Sequence, residues 1–248
     1  MHTDFIMSDM MEVLDDGLRC MESLGTDFMH YPVCEYMMQS LFLRLTGYQE
    51  QKLKCIMWHL ATWDFDVRYN LVGGRINIGE ASNKDHKNLI YKHLVEGIKN
   101  SGAKFETPEI KDIQSQISNI ALELTIRFGN SVFSRWLPRE FEMFKKFTGM
   151  VKATEDGYFR SESSCFGKDS IIEQAHELAY NQRNRCAHNT WSYQRNTQSL
   201  QKLIADTRGA DNYFSMIFIL MLIDNVFVRT YHTFHTKVLH RSNRLYDK

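Results

Sequence analysis

His176, Tyr180, Asn184 and His188 recur every four residues, and Arg183 stands five positions before His188. On a helix, side chains four apart lie above one another with a slow drift. These residues therefore form a polar stripe beside an apolar line of Ile171, Ala175, Leu178, Ala179 and Cys186. The residue types suit acid–base work on an anion. An imidazole, with an unperturbed pKa of about 6.5, can both take and give a proton near neutrality. Arginine presents a planar, permanently charged fork to non-bridging oxygens, and an adjacent asparagine can orient either group. Arg183 and His188 lie about 140° apart around an unbroken helix, so they converge only if the helix ends near His188 or the second group comes from another chain.

The segment 181–189 reads Asn-Gln-Arg-Asn-Arg-Cys-Ala-His-Asn. It resembles the Arg-polar-x3-His signature of HEPN domains, all-helical ribonucleases of bacterial toxin, abortive-infection and CRISPR-associated defence systems. The string Arg-Asn-x-Cys-Ala-His is especially similar to abortive-infection members. The resemblance covers about ten residues, and the helical pattern over 109–240 is compatible with such a bundle. It implies a homodimer paired through the motif helices, with two Arg183/His188 sets facing one another in a composite cleft. The implied activity is a metal-independent, cofactor-free endoribonuclease in which the RNA 2′-hydroxyl attacks phosphorus and leaves a 2′,3′-cyclic phosphate. In that scheme His188 transfers protons, Arg183 stabilises the phosphorane and Asn184 orients them. Arg185, Asn189 and Arg195, in and beside the motif, are the candidate substrate contacts, and tRNA or ribosomal RNA elements are candidate targets. A regulatory partner or antitoxin is a further possibility. Toxin members silenced by adenylylation carry Tyr two after the His; here that position is Thr190, and Tyr193 lies five after.

Other readings of the same residues stand beside this one. His188 can cap a helix C-terminus and Arg183 can pair with Glu173 or Glu177 in a purely structural network. The chain can be a catalytically silent RNA-binding or dimerisation module, or a helical adaptor whose acidic N-terminal layer recruits a partner. Glu173-x-x-His176 is a ligand pair that di-iron bundles use twice, but the second copy reduces to Asp27-x-x-His30 at a predicted helix break, so no metal is expected. Arg229 and His235 satisfy a looser form of the arginine–histidine spacing, and with His232, His240 and Arg241 they make a basic histidine-bearing helix end. Trp58, Trp63, Phe65 and Tyr69 read as core and helix-border aromatics, with base stacking as the lesser alternative.

The elements that must position these groups are helical. The chain has 248 residues, 43% apolar and 24% charged, with 3 prolines and 13 glycines, which excludes a disordered or collagen-like chain and leaves few breakers for a many-turned β sandwich. The expected class is all-α. Basic and acidic residues balance at 30 each, so no global field advertises a nucleic-acid partner. Locally, residues 1–30 are acidic, and 183–208 and 229–248 are basic. Five cysteines without a C-x-x-C pair read as free thiols in a reducing cytoplasm. No membrane attachment is expected, because the apolar run 213–223 is shorter than a bilayer span before Asp224 and Asn225 interrupt it.

The predicted helices cover 7–24, 32–45, 49–69 and 83–99, with Thr46-Gly47 as a joint and 72–79 as a loop or hairpin. Thr107-Pro108 starts the next, whose Ile110, Ile113, Ile117, Ile120, Leu124 and Phe128 recur at three and four. Pro138 allows a short helix to Phe147, and 149–168 reads as a surface loop. Ser170 and Glu173 form a capping-box pattern for a helix to His188, and helices over 191–206 and 211–239 follow. The expected architecture is therefore a HEPN-like four-helix bundle over 105–248 with an additional N-terminal helical layer over 1–104.

Overall fold

The computed structural model describes residues 2–22, 31–74, 81–154, 161–188 and 209–246, with the side chains of Tyr31, His188 and 238–246 outside that description. Among these residues the regular structure is entirely helical, as composition predicts. The elements are α1 (His2–Met7), α2 (Met10–Arg19), α3 (Tyr31–Trp63), α4 (Phe65–Val72), α5 (Lys84–Asn100), α6 (Ile110–Asn130), α7 (Val132–Trp136), α8 (Pro138–Ala153), α9 (Ile171–His188) and α10 (Tyr213–Tyr246). The expected helix over 191–206 lies outside the described residues, as do the turn at 25–26 and residues 75–79 of the loop expected over 72–79.

α10 is the hub. It packs against α3 and α5 from the first hundred residues and against α6, α8 and α9 from the rest, and a single apolar core runs through all of them. Phe214, Ile217, Phe218, Ile219 and Ile223 are fully buried there, and Phe214 and Phe218 interleave edge-on with Phe128, Phe144 and Phe147. The segment Tyr213–Lys237 is long and apolar enough by composition to cross a membrane, because the mean hydropathy of its most apolar window, 1.5, averages over Asp224 and Asn225. Its most apolar window is 72% buried inside the fold, as the core helix of a packed bundle requires.

Several boundaries differ from the sequence expectation, each for a local reason. Thr46-Gly47 is no joint: α3 runs through it for 33 residues, about 50 Å at 1.5 Å per residue. Thr46 satisfies its hydroxyl on the Leu43 carbonyl, and the flank of Gly47 is open. The break falls instead at Asp64, whose carboxylate accepts from the amides of Asp66 and Val67 and so caps α4. Thr107-Pro108 does not cap α6, which begins at Ile110 after Glu109, leaving Ile110 exposed while Ile113, Ile117, Ile120, Leu124 and Phe128 are buried. α8 continues through Gly149 to Ala153 because Phe147, Thr148 and Val151 are buried on its inner face. Trp58, Trp63, Phe65 and Tyr69 are all at least half exposed, not core, and Arg68 lies over the Phe65 ring at 5.7 Å from its centroid.

Candidate functional site

The helix that carries the motif is fixed at its start. Ser170 Oγ accepts from the Glu173 amide at 3.1 Å, and Glu173 reaches back to the amide of Asp169, one residue beyond the usual capping-box partner. Asp169 takes a positive φ of 57° there, a region that tolerates Asp better than most residues. Glu173 also accepts from Lys84 Nζ at 2.6 Å, tying α9 to the start of α5. This lysine holds the Glu173 carboxyl below its usual range, against the opposing effect of burial. Glu173 is thereby committed to a cap and an ion pair, and no group of three or more potential metal-ligating side chains occurs among the described residues.

α9 buries Ile172, Ala175, His176 and Ala179, positions that share one helical face, while Ile171, Leu178 and Cys186 are only partly buried. The polar stripe therefore enters the packed face instead of bordering it. His176 is 2% exposed and sits beside the Phe166 ring at 5.0 Å between centroids. Its Nδ1 has no hydrogen-bond partner among the described residues. Burial, reinforced by the nearby Lys87, drives the proton affinity of His176 well down, with the Ser82 backbone acting in the opposite direction.

His176, Ala179, Tyr180 and Arg183 line one wall of a small open recess. Thr46 and Gln49 of α3, Ser82 and Lys87 at the start of α5, and Leu220 of α10 complete it. Two polar side chains of its lining are tied to backbone carbonyls. Gln49 donates to the Leu220 carbonyl at 2.8 Å, and Lys87 Nζ donates to the carbonyls of Ser82 and Ala81 at 2.7 and 3.3 Å. Lys87 is 2% exposed; burial brings its pKa down to about 7 against the opposing effects of Cys165 and Glu50, with a smaller lowering from the Arg183 charge.

At the mouth, Arg183 makes two side-chain bonds. Nη1 donates to Asn184 Oδ1 at 3.0 Å and Nη2 to Glu50 Oε2 at 3.2 Å. Lys54 Nζ lies 2.7 Å from the other Glu50 oxygen. The structural network foreseen for Arg183 thus has a different acceptor, Glu50 of α3, in place of Glu173 or Glu177. Arg185 turns toward Gln182, which in turn donates to the Tyr213 hydroxyl at 2.7 Å, so it binds α9 to α10.

The structure brings Arg183 and Asn184 together. α9 is described as far as the His188 backbone, while the His188 side chain, Asn189, Thr190, Tyr193 and Arg195 lie outside the described residues. Glu50, Lys54 and Lys87 are the neighbours that sequence reasoning missed. Their only sequence signal is a run of charged residues on a helix, which ordinarily marks a solvated face. No family model, curated protein or solved structure matches this chain.

Proposed function

We propose that the chain is a HEPN-type, metal-independent endoribonuclease, a bacterial defence or toxin effector acting as a homodimer in the cytoplasm. The observation that carries this reading is the Arg183–Asn184 pair: two partly buried side chains hydrogen-bonded to each other on α9, five and four positions before His188. A guanidinium held in that way is prepared to receive the non-bridging oxygens of a phosphate, and the charge it meets grows as the 2′-oxygen attacks. In the reaction as written, the 2′-oxygen loses its proton to a base, the P–O5′ bond breaks, and the departing 5′-oxygen gains a proton. His188 and its copy from the second subunit are assigned those transfers. No step calls for a metal.

The test is incubation of the purified protein with structured RNA in excess chelator, beside Arg183→Ala and His188→Ala. Cleavage to 2′,3′-cyclic ends that both substitutions abolish supports the reading; activity lost on chelation, or retained in His188→Ala, rejects it. A second reading, a catalytically silent RNA-binding or dimerisation module, draws on the Glu50 ion pair, because an arginine engaged by a carboxylate of its own chain serves the fold whether or not substrate arrives. RNA binding without cutting in all three proteins selects it.

A further inference from the structure

The Glu50 carboxylate is one-tenth exposed and lies beneath two cations, one on each oxygen: Lys54 on Oε1 and Arg183 on Oε2. The cations are the outer members, 24% and 27% exposed. An anion approaching from solvent therefore meets an ammonium and a guanidinium before it meets the carboxylate, and the three-charge cluster is positive by one. Charge-assisted bonds of this kind are directional, and a carboxylate shielded from water keeps them aligned. With Nη1 on Asn184 and Nη2 on Glu50, the guanidinium plane is fixed at two points, and three of its five N–H donors have no acceptor among the described residues.

We infer that Glu50 is a positioning residue for Arg183: from α3, 133 positions earlier in the chain, it sets the orientation in which the guanidinium receives an RNA phosphate. Its effect on turnover rests on the endoribonuclease reading, whereas the hold on Arg183 is a property of the fold and is read separately. The residues of the N-terminal half are then part of the site and not an appendage to it. A long side chain arrested in its receiving orientation has no rotamer search left to make when substrate arrives, which is how a remote carboxylate acts on rate.

Two measurements on the full-length protein test this. In 15N NMR of the arginine side chains, the Arg183 Nη protons, assigned by their disappearance in Arg183→Lys, give separate signals when guanidinium rotation is hindered. They are expected separate in the wild type and in Lys54→Met, which keeps the Glu50 contact, and averaged in Glu50→Gln. Averaged signals in the wild type, unchanged signals in Glu50→Gln, or loss in both variants alike would overturn the assignment. In cleavage assays under chelation, Glu50→Gln is expected to lower kcat by about tenfold to a hundredfold. KM should stay the same or fall, since removing a negative charge beside the substrate phosphate does not weaken its binding, and Glu50→Asp should recover part of kcat. A raised KM with normal kcat contradicts a positioning role. A wild type that cuts no RNA sinks the endoribonuclease reading, while the NMR result still decides whether Glu50 holds Arg183.

Discussion

Lys52 of α3 and Asp224 of α10 meet at 2.9 Å inside the protein, the ammonium only 1% exposed, and the same ammonium donates to the Ser8 carbonyl between α1 and α2 at 2.6 Å. Burial raises the Asp224 pKa and Lys52 opposes that rise. Such a pair is costly to break from one side, because the remaining charge is stranded. Lys52→Met or Asp224→Leu alone should lower the unfolding free energy by about 3–5 kcal/mol, and the double substitution should lower it by less than the sum. Urea denaturation of the three variants measures this; additive losses would show that the two charges are not coupled.

Lys87 gives stability a pH dependence whose sign is fixed. Its folded pKa of about 7 lies below its ordinary value, so between those values the unfolded chain binds the proton that the folded chain does not. Its contribution is complete above the unfolded pKa and is lost as pH falls toward 7. Stability should therefore rise with pH between about 7 and 10. In Lys87→Met this rise should flatten, which melting temperatures across that range report; an unchanged slope would place the titration elsewhere.

His176 acts in a lower window by the same logic. Its folded pKa is well depressed, so its contribution is present above the unfolded value of about 6.5 and declines as pH falls below it. Replacing it with the uncharged His176→Gln should make the acid limb of the stability profile shallower, even where the substitution lowers stability at pH 7.

Gly209 has φ +71°, and a Cβ there would lie 2.6 Å from the Met143 carbonyl oxygen. Its own carbonyl accepts from Asn212 and Ser215, and Asn212 Oδ1 caps the Ser215 amide. Gly209→Ala is expected to cost about 2 kcal/mol or more, through the left-handed conformation and the contact together. A drop of several degrees in Tm is the readout.

The shared cleft proposed for the dimer makes a separate prediction. Wild-type subunits mixed with excess His188→Ala subunits and allowed to exchange should lose more RNA-cleaving activity than dilution accounts for, because a hybrid pair carries only one of the two imidazoles assigned to the proton transfers. Activity that falls only in proportion to dilution, with exchange verified by mass, would argue against a site built from two subunits.

What the sequence reveals and what it hides follow from the range of the forces involved. Local signals place the start of α9 within a residue, because Ser170 and Glu173 sit there and act over three positions. The three-and-four spacing of α6 likewise identifies its buried face. Thr46-Gly47 misleads because the cost of a mid-helix glycine, about 1 kcal/mol, is small beside the packing of a helix that touches most of the fold. Arg183 and Asn184 are readable as a string, whereas Glu50 meets Arg183 only through tertiary packing, and nothing near either residue encodes the other. The aromatic residues of 58–69 show the opposite error. Hydrophobic type suggests burial, but large apolar side chains also occupy surfaces.

Because α10 is the element on which α3, α5, α6, α8 and α9 all close, its place in the order of synthesis matters. A ribosome making this protein has released every other described helix before the hub emerges, so the growing chain holds Arg183 and Glu50 without the scaffold that brings them together. The ion pair between α3 and α9 is thus completed late, when the helix that both of them pack against is in place.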